Sequence, residues 1–397
     1  MMRWIIFCLL LFSSCGLGSK IKNANTAIDL KKYSIAIELL LQDYEIANSK
    51  SEKSEIAFKI GTCNDQLANY ANSLKWFKKS YDLVATNKAL FAYANSLKRN
   101  EDYKEASDAF AELSNESNNN IVYRREANIC KLAQEWKNFV NKNYTYQVTP
   151  FGFCDESNEY APIFDSKGTL YLSNDRIGSN GKSKYEWSGQ FYSDLYKLDE
   201  NSELVALDES INTKNNEGSC TFNSDASTIY FTRCADLSVG DYFCQIYSKS
   251  LKNQKESDEL LDLGGELSNS INPTLHYTDT MLIFSSDRKE GLGLYDLYIS
   301  KFRNGRWTIG ENLGAQINTE GNEKFPVWNG DTLYFSSDYL PGMGGLDVFK
   351  TWKTMDGKWM SPLRLDYPIN SGADDFNYCI DPKFVKKDSI LNRAVFS

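Results

Sequence analysis

The chain has 397 residues, a net charge of −9 at pH 7 and a pI near 5.0. That length suits two or three domains, and the acidic balance argues against a nucleic-acid surface, which needs a basic footprint. Apolar residues make up 42% of the chain, enough for ordinary cores, and the 14% aromatic content suits strands packed in layers.

Residues 1–14 stand apart from everything after them. Met1-Met2-Arg3 supplies one positive charge, Trp4 to Phe12 is a short apolar run, and Ser13-Ser14-Cys15-Gly16 follows. Such a run is too short to span a bilayer as a stable helix but suits the core of a signal peptide. No other stretch is long and apolar enough to cross a membrane. The segment resembles a bacterial lipoprotein signal, which implies cleavage before Cys15 and lipidation of that residue, with 15–22 as a tether. Phe12 stands where leucine is commoner, and an ordinary secretory signal is the alternative. The stretch Gly16 to Lys20 lacks the acidic cluster that commonly marks surface export in lipoproteins of the Bacteroidetes type. The expected location is therefore the periplasmic face of the outer membrane.

From residue 23 to 141 the period is helical. Tyr33, Tyr70 and Tyr103 each open a helix-like run, with a small residue three positions on (Ala36, Ser73, Ala106) and another nine positions before (Ala24, Gly61, Ala94). Both offsets place small side chains where two helices must approach closely. Phe77 and Phe110 fall on the same buried stripe. Ala127 and Trp136 carry the register into a further helix near Tyr123–Lys137. The pattern resembles the tetratricopeptide repeat, three units plus one helix; a generic helical bundle is the alternative.

Residues 142–397 change period again. Asp194, Gln245, Asp296 and Asp347 are spaced 51 residues apart, each leading an apolar-aromatic pair. Apolar-aromatic runs precede them at Leu170–Asp175, Ile229–Thr232, Leu282–Asp287 and Leu333–Asp338. First strands are expected at Tyr160–Phe164, Pro273–Leu275 and Phe325–Trp328. Glycine-rich tips follow the second strands at Gly291–Gly293 and Gly342–Gly345, read as turns that need positive φ. Asn304-Gly305 before Trp307 and Asp356-Gly357 before Trp359 suit two-residue hairpin loops. Crossovers repeat Ile211-Asn212-Thr213, Ile317-Asn318-Thr319 and Ile369-Asn370-Ser371. Four strands and a crossover in about 50 residues make one propeller blade. The expected fold class is therefore α+β multidomain: an all-α solenoid followed by an all-β propeller with four complete blades, five to six in the full protein. Ala394-Val395-Phe396-Ser397 aligns with the second strands, with a first strand at Phe376–Cys379. The last blade is thus incomplete, and the expectation is that a longer protein finishes it.

Few residues offer chemistry. A single histidine, His276, on an alternating run leaves histidine triads and multi-histidine metal sites without support. The tips superficially resemble phosphate-cradling loops, yet they join strand to strand, so no helix dipole backs them. Asp287 with Asp296, and Asp338 with Asp347, form either a calcium set or acceptors for backbone N–H groups of their turns; repetition favours the second. Of nine cysteines, seven remain once Cys8 leaves with the signal and Cys15 is lipidated. Cys234 and Cys244, flanking a loop between two strands, are the best disulfide candidate in an oxidising compartment. No C-x-x-C is present. No catalytic residue, cofactor or metal is assigned.

Leu282 to Tyr298, Leu333 to Phe349 and the Ile317-Asn318-Thr319 junction look like the WD-like propeller repeat of Bacteroidetes envelope lipoproteins. Members of that family join a lipobox, tetratricopeptide repeats, a propeller and usually an OmpA-like peptidoglycan-binding domain, and the PorE-like ones serve type IX secretion and gliding motility. No OmpA-like domain is present here, so any association with peptidoglycan is expected to be indirect. The resemblance implies a non-enzymatic, lipid-anchored scaffold whose partners are other envelope or secretion-complex proteins. A glycan- or peptide-binding propeller module ranks second and a propeller hydrolase third, since fold alone does not separate them.

Overall fold

The computed structural model describes residues 21–143, 148–150, 157–180, 184–185, 187–234, 243–253, 255–265, 267–384 and 393–397. Seven helices come first: α1 (Ala24–Asp29), α2 (Tyr33–Ile46), α3 (Lys50–Gln66), α4 (Tyr70–Leu83), α5 (Asn87–Arg99), α6 (Tyr103–Glu116) and α7 (Ile121–Asn143). Each packs on the next in sequence.

The first helix of each pair starts at a side-chain cap. Asn23, Ser49 and Thr86 accept from the backbone N–H of Thr26, Glu52 and Ala89 at 3.1, 3.1 and 3.2 Å. The second helix starts straight after a tight turn, with Lys31, Ala68 and Glu101 at φ of 55°, 53° and 63°. Tyr33, Tyr70 and Tyr103 are the first residues of these second helices, and the small residues at both offsets lie between helices. A Cβ on Gly61 would come within 2.7 Å of the Phe77 ring, so the small side chain is a packing requirement.

The strands build four blades, each an antiparallel sheet in sequence order, four-stranded in blades 1, 2 and 4. Blade 1 holds β1 (Glu159–Phe164), β2 (Leu170–Asn174), β3 (Asp194–Leu198) and β4 (Leu204–Ala206). Blade 2 holds β5 (Asn216–Phe222), β6 (Thr228–Cys234), β7 (Cys244–Ser250) and β8 (Glu259–Leu260). Blade 3 holds β9 (Ser270–Leu275), β10 (Met281–Ser286) and β11 (Asp296–Arg303), with two short pieces on its outer edge, β12 (Arg306–Trp307) and β13 (Glu311–Asn312). Blade 4 holds β14 (Glu323–Asn329), β15 (Thr332–Ser337), β16 (Asp347–Trp352) and β17 (Leu363–Arg364). A two-stranded sheet, β18 (Cys379–Ile380) with β19 (Ala394–Val395), takes the fifth place. The first strands touch in turn, β1 to β5, β9, β14, β18 and back to β1, which closes the ring.

One device repeats at all five places. Ala161, Ser219, Asn272, Phe325 and Asn377 sit near the start of each blade at φ between 42° and 54°. In the four complete blades they mark a bulge in the pairing of first and second strands. The bulge turns a backbone N–H out of the sheet toward the preceding blade. There Ser173 accepts from Ser219, Thr232 from Asn272, and Ser397 from Ala161, each at 3.1 Å. Asn377 also donates to the Pro162 carbonyl, across the boundary between the fifth sheet and blade 1.

The crossover motif has an equally direct cause. Asn318 accepts from Leu297 N–H at 2.8 Å and donates to Leu297 O at 3.0 Å, completing the third strand as a neighbouring strand would. Asn212 does the same for Leu195, and Asn370 for Val348. Asn318→Ala leaves the buried Leu297 N–H without a partner, while the Leu297 C=O keeps the Leu313 N–H, so it is expected to cost about 1–3 kcal/mol. Urea denaturation measures this, and a loss below about 0.5 kcal/mol would remove the motif's structural role.

Two expectations need correction. None of the tip glycines at 291–293 or 342–345 lies in the left-handed region. A Cβ on Gly293 would strike the Thr319 and Gly321 carbonyls, and one on Gly344 the Ala373 carbonyl, so crowding excludes side chains there. The fourth strands of blades 3 and 4 are also broken. Asn304-Gly305 makes the expected two-residue loop, with both residues at positive φ, whereas Asp356-Gly357 lies within a longer loop that the Thr354 side chain ties to Lys358 N–H and C=O.

Candidate functional site

Cys15 lies outside the described residues. Cys234 and Cys244 face each other across β6 and β7 and form a disulfide. Cys234 stands at the place Asp287 holds in blade 3, and Cys244 at that of Tyr295. Cys63, Cys130, Cys220 and Cys379 are buried free thiols. His276 is a buried turn residue: its Nδ1 is 2.7 Å from the Thr278 hydroxyl and its ring packs edge-on against Trp328.

The repeated acids are occupied within the fold. Asp287 takes both the backbone and side-chain N–H of Asn269 at 2.6 Å, and Asp338 does the same with Asn322. Asp296 and Asp347 accept from backbone N–H groups of their tips. Burial nevertheless pushes Asp347 up to about 6, against the pull of those N–H groups. Among the described residues, no group of three or more metal-ligating side chains occurs, and no helix is long and apolar enough to cross a membrane.

The most elaborate constellation is the joint between the helices and the propeller. Three helix-pair turns meet the ring in succession. At the first, the Tyr33 ring meets Trp187 of blade 1 edge-on at 5.1 Å, with Lys31 over the same indole. At the second, the Tyr70 hydroxyl donates to Asp374 at 2.5 Å, and Arg99 lies 3.1 Å from the same carboxylate oxygen with its guanidinium over the Tyr70 ring. At the third, Glu101 pairs with Lys137 and accepts from Gly372 N–H, while Tyr103, Ala133 and Met343 form a buried cluster with Trp136 and Tyr367. Arg364 covers the Trp136 ring at 3.9 Å.

Asp374 is the centre of this joint, and the repeat explains why. The crossovers read Ile-Asn-Thr-Lys-Asn-Asn-Glu at 211–217, Ile-Asn-Thr-Glu-Gly-Asn-Glu at 317–323 and Ile-Asn-Ser-Gly-Ala-Asp-Asp at 369–375. Asn216 and Asn269 accept from a backbone N–H at the entry to the next-door third strand, Ser193 just before β3 and Cys244 at the first residue of β7, at 2.9 and 2.8 Å. Asp374 keeps that duty with Oδ1, toward Leu346 N–H at 2.8 Å. Its second oxygen, where an asparagine would carry NH₂, is what Tyr70 and Arg99 grip.

The neighbouring carboxylates are pushed apart. Burial alone would raise Asp374, but Arg99, Tyr70 and the Leu346 N–H hold it below the usual carboxylate range. Burial pushes Asp375 up to about 8; Ser371 opposes this through its N–H and hydroxyl, while Asp347 and Asp374 add to it. Lining up the crossovers would have exposed Asp374 in the sequence, because it breaks an otherwise repeated asparagine.

No family model matches the sequence, and no curated protein matches it. Among solved structures, the chain is similar to TolB from Acinetobacter baumannii, with 10% identity over 55% of this chain and 43% of that one, at a TM-score of 0.32. It is similar to a prolyl endopeptidase, with 11% identity over 60% of this chain and 32% of that one, at 0.32. It is also similar to a thermostable family-43 glycoside hydrolase, with 13% identity over 53% of this chain and 77% of that one, at 0.36. The chain spans less than half the length of the first two. Its own topology defines it: an N-terminal helical array docked on a β-propeller fold.

Proposed function

We propose that this chain is a non-enzymatic scaffold of the bacterial envelope, held by a lipid on Cys15 at the periplasmic face of the outer membrane. Its tetratricopeptide-like helices and its propeller would serve a type IX secretion or gliding-motility complex, as the resemblance to PorE-like proteins implies. The observation that carries this reading is the joint at Asp374. An acid set where other crossovers hold asparagine ties the helices to the ring, so two interaction surfaces are held in fixed relation. The occupied acids fit the same reading. Each recurs in more than one blade with its oxygens taken by N–H groups, whereas a catalytic acid serves one site once.

Cys15→Ala tests the anchor. The variant is expected to lose fatty-acid labelling, to move from the membrane to the soluble fraction and to drop its crosslinks to secretion-complex proteins in cells. Stable anchoring takes more than one acyl chain, which a multiply acylated cysteine provides. Labelling that survives the substitution would sink the lipoprotein reading; unchanged crosslinks would sink the anchored scaffold.

A further inference from the structure

Two apolar surfaces adjoin each other at the α7 end of the array. The first is the outward stripe of α7, with Ile121 70% and Leu132 41% exposed beside Arg124, bordering a cleft of about 300 Å³ against Pro341. The second is the tip of blade 3. Leu292 there holds the place of Met343 in blade 4: each follows a glycine, and each gives its N–H to the aspartate opening the third strand. Met343 is wholly buried beneath Tyr103 and Ala133 of the array, while Leu292 is half exposed and Leu294 more so.

Tyr339 joins the two surfaces. Its carbonyl accepts from Arg125 of α7, and its hydroxyl donates to Glu320, in the segment against which Gly293 of the blade 3 tip packs. The turns of the array step around the ring from blade 1 to the fifth place to blade 4. Blade 3 is the next position, and its tip offers the same apolar knob.

We infer that these surfaces form one docking site and that α7 of a second copy of this chain fills it, giving a two-fold dimer. The occupant must be a helix, as the occupant of the Met343 tip is. It must carry apolar residues to cover Leu292 and Leu294, and positive charge to meet the exposed Glu290 and Glu320. The α7 stripe supplies all three, with exposed Arg124 and Lys131 beside Ile121 and Leu132. A two-fold arrangement lets each copy give its basic stripe to the other's acidic tip.

Sedimentation of the purified full-length chain tests this. A concentration-dependent dimer is expected, weakened at least tenfold or so by Leu292→Asp and by Leu132→Asp. Both positions are solvent-exposed, so the melting temperature should stay unchanged at dilutions where native and variant chains are all monomeric. Arg124→Glu should weaken the dimer, and adding Glu290→Arg should restore it. A chain that stays monomeric at about 100 μM would overturn the proposal and leave the surface to another protein. A dimer indifferent to all these changes would overturn it too, by placing self-association elsewhere.

Discussion

Asp374→Asn is expected to loosen the helical array from the propeller while both keep their folds. Asparagine already fills the equivalent places at 216, 269 and 322, so its carbonyl should still accept from Leu346 N–H. The amide would then turn its NH₂ toward Arg99, setting donor against donor, and the Tyr70 hydroxyl would lose its carboxylate acceptor. Breaking a fully buried ion pair costs about 3–5 kcal/mol, and solvent screening reduces this here to about 2–3 kcal/mol. The discount applies because the Arg99 and Asp374 side chains are 24% and 30% exposed. Thermal unfolding should split from one transition into two, with faster proteolysis at the helix-pair turns. A single transition at the original temperature would show that the remaining contacts hold the joint without Asp374.

Asp375→Asn is expected to act in the opposite direction at neutral and alkaline pH. Because its pKa is raised in the fold to about 8, Asp375 contributes stability that is fully present below the ordinary carboxylate pKa and lost as pH rises through about 8. A displacement of this size corresponds to on the order of 5 kcal/mol. The groups facing it are Asp347 and Asp374, and the Tyr103 phenol senses Asp375 itself together with Glu101 and Asp347. Asparagine keeps an acceptor for Ser371 N–H and never charges. The native chain should therefore lose melting temperature between about pH 5 and pH 9, and the variant distinctly less. Parallel curves for the two would mean that Asp375 is charged throughout.

Much of this architecture was legible because repeats report themselves. The 51-residue spacing located the third strands, and Tyr33, Tyr70 and Tyr103 marked three helix starts to the residue. Where the reading failed, geometry had two solutions for one residue type. Glycine signals either positive φ or a lack of room, and at Gly293 and Gly344 only the folded neighbours show that it is room. Asp356-Gly357 has the composition of a tight turn, but Thr354 competes for the same backbone groups. The joint was hidden for a different reason. Arg99 and Asp374 are 275 positions apart in sequence, and nothing in either segment alone says that helices and ring touch. What the sequence did contain was the substitution of Asp for a recurring Asn, which has meaning only once the crossovers are superimposed.

The stepping of helix turns around the ring has a consequence for how such a chain can change length. Duplication of whole units is the ordinary way repeat proteins grow, and each unit added to a free solenoid meets only its neighbour. Here two unlike periods are geared together, one helix pair to one blade. An inserted helix pair would carry every later turn to the wrong tip and move Arg99 away from the crossover that bears an acid where 216, 269 and 322 are asparagine. An inserted blade would displace Met343 from beneath Tyr103. Growth inside either array is therefore constrained by the other, and the position left open to expansion is beyond α7, over the tip of blade 3.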